Sequence, residues 1–170
     1  MKIFYLGPEG TNSDLASRNI FDKSNEFIPL TSIEDIFEKV ALSHSYYGVI
    51  PFENSYQGVI NSSLNCLIDY DLKISKEFVF KVTHNFCSKN KKLVTNKVKK
   101  IASHPQVFGQ CSTWIREHYP EAEKIITTST AEAAKLAQNN HDIFCIANLY
   151  AADLFGLVNH TSDIQDTKNN

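Results

Sequence analysis

The sequence predicts an α/β protein with largely parallel strand pairing. Strand-like and helix-like runs alternate along the whole chain, the pattern that successive βα units leave in a sequence. The junctions from strand into helix carry Gly, Pro, Ser and Thr, residues that turn the chain and cap helices. No tandem repeat and no Gly/Ser linker interrupts the alternation.

Lys2 to Leu6 is a short β-type run stopped by the Gly7-Pro8 turn. Ser13 opens a helical stretch carrying Leu15, Ala16, Asn19 and Ile20. Ser32 with Asp35 resembles a capping box, and Ile33, Ile36, Phe37, Val40 and Ala41 recur at helical spacing behind it. Tyr46 to Phe52 reads as a buried strand in which Gly48 permits close backbone approach. Val59, Ile60, Leu64, Leu67 and Ile68 form another helical stripe. The alternation of Phe78, Phe80 and Val82 predicts a half-buried strand, and residues 88–100 an exposed connection. Lys100 to Ser103 is a short strand, and Pro105 starts a helix lined by Val107, Cys111, Trp114 and Ile115 that ends near Tyr119-Pro120. Ile125 to Thr128 is a strand; Ser129 with Glu132 is a second capping box leading into the helix from Ala131 to Ala137. Ile143 to Ala147 is a strand, Tyr150 to Phe155 a short helix stopped by Gly156, and the chain is extended again from Leu157. The polar stretch over residues 70–77 and a return near Asn148 mark hinges. Residues 1–76 with 149–170 are thus expected to form lobe 1, and residues 77–148 lobe 2.

Composition narrows the function classes. The hydrophobic share of 42% over 170 residues can fill a core without disulfides or a structural metal. A net charge of −2 with dispersed Lys and Arg, apart from Lys97, Lys99 and Lys100, argues against a nucleic-acid surface. Gly7-Pro8-Glu9-Gly10 ends the N-terminal apolar run before it reaches signal-peptide length, and no run approaches the roughly 18 residues of a membrane helix. Cys66, Cys87, Cys111 and Cys145 are widely spaced in apolar segments, the pattern of buried free thiols in a reduced, cytoplasmic protein.

Chemistry-bearing residues gather before helices: Gly7-Pro8-Glu9-Gly10-Thr11, Glu53-Asn54-Ser55-Tyr56-Gln57-Gly58, Ser103-His104-Pro105-Gln106 and Thr128-Ser129-Thr130. Helix starts offer free N–H groups and a positive dipole end, a seat for carboxylate or phosphate. Taken singly, each of these loops reads first as a cap; four in one parallel topology read equally well as a site for a small polyanion. There is no GxGxxG, no GxxxxGK[ST], no HExxH and no His/Cys/Asp cluster at metal spacing. Nucleotide-phosphate and metal sites thus lack support in the motifs, and Glu9 and Glu53 alone make a poor acid/base pair.

Several blocks resemble the prephenate dehydratase family, in that family's order: Gly7-Pro8-Glu9-Gly10-Thr11 with Ser13, Ile33-Glu34-Asp35-Ile36-Phe37, Tyr47-Gly48-Val49-Ile50-Pro51-Phe52-Glu53-Asn54-Ser55, Ser103-His104-Pro105-Gln106 with Gln110-Cys111, Ser129-Thr130-Ala131-Glu132-Ala133-Ala134, and Asp163-Ile164-Gln165-Asp166 running to Asn169-Asn170. The resemblance implies two α/β lobes of the type II periplasmic-binding-protein kind, with the ligand cleft between them. It also implies decarboxylative dehydration of prephenate to phenylpyruvate on the route to phenylalanine, without metal or organic cofactor. It assigns Thr11, Asn54, Ser55, Ser103, Gln106, Gln110, Ser129 and Thr130 to substrate binding, and leads us to expect a homodimer. The family's Thr-Arg-Phe motif, whose Thr is the expected proton donor, would lie beyond Asn170. That leaves the catalytic residue unassigned and little activity expected of this chain alone. A chain cut short is the favoured explanation, because the motif order runs unbroken to the end. A non-catalytic carboxylate or amino-acid binder of the same fold is the alternative. Asn12 and Asp14 stand where the family usually has Phe and His, and Tyr56-Gln57-Gly58 and Leu64-Asn65 also depart from its pattern. Arogenate therefore stays open as a substrate.

Overall fold

The apolar run Ile3-Phe4-Tyr5, completely or almost completely buried, makes β1 (Lys2–Leu6) the central strand of a parallel sheet ordered β2-β1-β3 in a computed structural model that describes residues 1–56, 58–93 and 98–167. Its neighbours are β2 (Glu26–Leu30) and β3 (Tyr46–Val49). Helix α1 (Asn12–Ile20) follows β1, and α2 (Ile33–Ala41) follows β2. A small antiparallel hairpin, β4 (Glu53–Asn54) and β5 (Gly58–Val59), precedes α3 (Asn61–Asp69). The stripe predicted for α2 does bury Ile33, Ile36 and Phe37; Ile33 and Phe37 cluster with Cys66 of α3, and Leu6, Ile50 and Ile60 pack against them. Close approach at Gly48 is confirmed: a Cβ there would lie 2.7 Å from Ile36 Cγ2 and 3.1 Å from Val40 Cγ2.

A second unit begins at Val82. Its elements are β6 (Asn85–Ser88), β7 (Lys100–Ser103), α4 (Pro105–Gln110), α5 (Ser112–His118), β8 (Glu123–Ile126), α6 (Thr130–Asn139), β9 (Ile143–Ala147), α7 (Leu149–Leu154) and β10 (Val158–Thr161). The sheet order is β10-β6-β9-β7-β8, with β9, β7 and β8 parallel and β6 and β10 antiparallel to their neighbours. Period-two alternation splits the strand residues by size. Phe86, Ile101, Phe144 and Ile146 pack against Val107, Phe108, Cys111 and Ile115 of the α4–α5 region. Cys87, Ala102, Cys145 and Ala147 meet the alanine face of α6, Ala133, Ala134 and Ala137, with Ala151 and Ala152 of α7. Small side chains on both layers let those helices lie close to the sheet. All four cysteines are buried free thiols, as expected. The α/β class with helices flanking parallel and mixed sheets is likewise what the alternation predicted.

Five expectations need correction. The strand expected over Tyr46 to Phe52 ends at Val49, none of its residues is fully buried, and Phe52 is exposed. Residues 78–82 form no strand: Phe78 and Val79 are exposed, and pairing starts only at Asn85, because alternation alone supplies no partner strand. Strand β2 escaped the reading, since Pro29 breaks its pattern; as an edge strand it tolerates a proline that lacks an N–H. The helix expected from Pro105 to Tyr119 breaks at Cys111 (φ −116°, ψ 20°) into α4 and α5. Finally, residues 149–167 do not return to the first unit, because β10 hydrogen-bonds β6 and α7 packs on the second core. Gln57, Lys97, Asn169 and Asn170, named in the sequence reading, lie outside the described residues.

Candidate functional site

In the first unit β1 and β3 run parallel, so the Gly7–Thr11 loop and the chain to Asn54 both leave from the carboxyl edge of the sheet. Thr11 is the N-cap of α1: its hydroxyl accepts from the Asp14 amide (3.3 Å) and donates to the Leu6 carbonyl (3.0 Å). The loop itself is shaped by Asp14, a residue singled out in the sequence only as a departure. Its fully buried carboxylate accepts the Gly10 N–H at 2.9 Å, where Gly10 has φ 91°, and the Arg18 Nε–H at 2.8 Å. A charge so buried needs such a partner. Asn54 Oδ1 accepts the Tyr56 N–H at 2.8 Å and so braces the β4–β5 turn that presents Ser55.

In the second unit β7 and β8 pair in parallel with Ser103 opposite Ile126, which brings the Ser103–Gln106 and Thr127–Thr130 loops to one edge. The Thr127 N–H donates to the Ser103 carbonyl at 3.1 Å. Here most of the expected ligand hydroxyls already hold protein partners. Buried Ser103 donates its Oγ–H to the Ile146 carbonyl at 2.8 Å, stapling β7 to β9. Ser129 Oγ caps α6 by accepting the Glu132 N–H at 3.0 Å. The Glu132 carboxylate turns back to accept the Thr128 hydroxyl (2.6 Å) and amide (2.7 Å), and those bonds, the hydroxyl's first, hold its pKa below the usual carboxylate value. The capping reading thus holds at Ser129, as it does at Ser32, whose Oγ accepts the Asp35 N–H. Thr130 is the first residue of α6.

Gln106 is different. His104 Nδ1 accepts its backbone N–H at 3.3 Å, yet the buried side-chain Nε2 has no partner among the described residues. An amide donor out of water without an acceptor costs about 1–3 kcal/mol and calls for an explanation. One carboxylate oxygen placed there would satisfy it.

Gln110, at the far end of α4, belongs to a separate cluster. Its Oε1 lies 2.7 Å from His84 Nε2, and its carbonyl accepts the Asp166 N–H at 2.7 Å. His84 in turn accepts the Ile164 N–H (2.9 Å) and donates its own N–H to Gln165 Oε1 (3.0 Å). The Asp166 carboxylate accepts from Ser112 Oγ and the Thr113 N–H, supplying the partners that the start of α5 lacks after the break at Cys111. His84 and Gln165 received no role from the sequence: His84 lies between Thr83 and Asn85 and Gln165 between Ile164 and Asp166, so no apolar setting marks either as buried. Burial pushes the His84 imidazole below its ordinary pKa, against the opposing pull of the Gln110 bond. Among the described residues no group of His, Cys, Asp or Glu is placed to hold a metal ion, and no helix is long and apolar enough to cross a membrane.

Comparison with known proteins adds to this geometry. The bifunctional chorismate mutase/prephenate dehydratase of Stutzerimonas stutzeri is 32% identical over 166 residues, covering 98% of this chain and 45% of that protein. The prephenate dehydratase of Lactococcus lactis subsp. lactis is 35% identical over 173 residues, covering all of this chain and 61% of that protein. The crystal structure of the prephenate dehydratase from Staphylococcus aureus superposes with a TM-score of 0.85 at 26% identity, covering 98% of this chain and 62% of that one. The chain spans about half the length of the curated relatives it matches. A family model described as prephenate dehydratase matches residues 3–170, and with that near-complete match the chain belongs to the prephenate dehydratase family.

Proposed function

We propose that this chain binds prephenate and serves its conversion to phenylpyruvate, as a lyase in phenylalanine biosynthesis. The family match over residues 3–170 carries the reading. The geometry supports it through one feature above the others, the unpartnered amide of Gln106 at the strand-end edge of the second unit. Prephenate is a dianion; in the reaction its ring carboxylate leaves as carbon dioxide, the electron pair aromatises the ring, and the hydroxyl departs as water after taking up a proton. Most of the driving force lies in aromatisation. The protein's part is to orient the substrate, neutralise its carboxylates with N–H and O–H donors, and assist the departing hydroxyl.

In this reading Thr11, Asn54 and Ser55 of the first unit, and Ser103, Gln106, Gln110, Ser129 and Thr130 of the second, serve substrate binding. Gln106 acts directly. Thr11, Ser103 and Ser129, whose hydroxyls are held by protein partners, act by fixing the backbone amides around them. A cytoplasmic setting suits four buried free thiols, and a homodimer is part of the proposal. Calorimetric titration of the chain with prephenate and with arogenate tests the reading. Saturable binding of prephenate that weakens about tenfold in Asn54→Ala is expected. Absence of binding to either acid, or tighter binding of arogenate, would overturn it.

A further inference from the structure

The hydrogen bonds around His84 form a closed circuit within the second unit. The ring reaches Gln110; the Gln110 carbonyl takes the amide of Asp166; Gln165, one residue earlier, accepts the amide of His84; and the His84 carbonyl takes the amide of Ile164. His84, Gln110 and Gln165 are each at least nine-tenths buried. Two further bonds extend the circuit. Asn85 accepts the Asp163 N–H at 3.4 Å and donates to the Ala147 carbonyl at 3.1 Å. Segment 163–166 is thereby strapped to β6, β9 and the α4–α5 junction.

The circuit has a consequence for ligand chemistry. A glutamine side chain has two faces of opposite character, an accepting oxygen and a donating NH2 group. Whichever end is engaged by the protein decides what the other end offers. Here the oxygen is engaged, so the amino end is the one left for a further partner, and an N–H donor attracts a carboxylate where a carbonyl would repel it. We propose that His84 is a positioning residue for ligand binding, acting through Gln110: its Nε2–H holds the Gln110 oxygen and so dictates that this amide offers donors to an anionic ligand. The inference rests on the reading of Gln110 as a substrate-binding residue. It goes further by naming what sets the polarity of that contact. The arrangement requires a proton on Nε2; of the two neutral tautomers only that one can donate to Oε1.

Phenylpyruvate affinity, measured by calorimetry at neutral pH, tests it with wild type, His84→Phe, His84→Gln, Gln110→Ala and the His84→Phe/Gln110→Ala pair. His84→Phe removes the donor and is expected to weaken binding about tenfold; His84→Gln restores an N–H donor and is expected to stay within about threefold of wild type. In the Gln110→Ala background, His84→Phe is expected to change affinity less than about twofold, because its route to the ligand is gone. A merely structural His84 would give equal losses in Phe and Gln, or a His84→Phe effect that persists in full without Gln110; either result overturns the inference. Unchanged affinity in Gln110→Ala overturns the assignment of Gln110 to the site and this inference with it. A weakened Gln110→Ala beside a neutral His84→Phe overturns this inference alone. Should His84→Phe fail to fold, 15N spectra of the wild-type imidazole still decide: a proton on Nε2 is required, and a proton on Nδ1 alone contradicts the proposal.

Discussion

Replacing Gln106 by methionine separates stability from ligand binding at the residue where the two conflict. The buried Nε2 of Gln106 has no acceptor among the described residues, and such a donor costs about 1–3 kcal/mol relative to one left in water. Methionine keeps the length of the side chain, fills a similar volume and matches glutamine in helix propensity, so its backbone cost in α4 is close to zero. Gln106→Met is therefore expected to be more stable than wild type by about 1–3 kcal/mol. For a chain of this size each kcal/mol corresponds to roughly 2–4 °C in Tm, so calorimetry is expected to record a rise of several degrees. The same change removes the donor proposed for a carboxylate, and a hydrogen bond to a charged group is worth about 1.5–3 kcal/mol, at least a tenfold loss of phenylpyruvate affinity. A lower Tm in Gln106→Met would show that the amide holds the fold together. Unchanged affinity would show that the stored cost serves no ligand. Either result removes Gln106 from the proposed binding role.

Three other expectations are independent of any ligand. Gly48→Ala places a methyl 2.7 Å from Ile36 Cγ2, and Ile36 is fully buried and cannot step aside; urea unfolding is expected to show a loss of about 1–3 kcal/mol, and a neutral result would contradict the packing of α2 on β3. Burial holds the imidazoles of His84 and His160 below their ordinary pKa, so the folded chain binds fewer protons than the unfolded one as pH falls through about 6.5. Stability is then full above that pH and declines below it until the folded-state values are passed; unfolding at pH 7.5 and 5.5 checks the sign, and a slope undiminished in His84→Gln would remove His84 from the account. Burial also pushes Cys87 and Cys111 up to about 12 and Cys145 well above its ordinary value. Native protein is expected to react with Ellman's reagent far more slowly than the four thiols of the denatured chain, and rapid native labelling of Cys87 or Cys111 would contradict their burial.

Features whose cause is local in sequence were legible, and features caused by distant residues were not. The caps at Ser32 and Ser129 lie three residues from the amides they accept, so the pattern and the interaction are the same object. The stripe of α2 and the role of Gly48 follow from period and side-chain size. After the break at Cys111 the start of α5 is capped by Asp166, whose carboxylate reaches Ser112 and Thr113 from more than fifty positions away, and no window on residues 105–119 contains it. Strand β2 hid behind Pro29, and the alternation at 78–82 pointed to a strand where none forms, because pairing is a property of two segments and periodicity of one. The site divides the same way. The loops at the strand ends could be named from the sequence, but whether a hydroxyl there is spent on a cap or free for a ligand is set by geometry: Ser103 is committed to Ile146 and Ser129 to Glu132, while Gln106 keeps an unpaired donor. Gln110 belongs with His84 and Gln165, a pairing that runs over 26 and more positions and leaves no local trace.

N–H donors at helix starts and strand ends are proposed to bind a small organic dianion. The measurement that meets this proposal most directly is a 1H–15N titration of the labelled 19.2 kDa chain with prephenate, with side-chain amides included. Saturable shifts are expected at the Gln106 side chain and at the backbone amides around Thr11, Ser55 and Thr130, with the Ile164 and Asp166 amides following as the strap responds. Shifts confined to other surfaces, with the Gln106 side-chain amide unmoved at saturation, would contradict it.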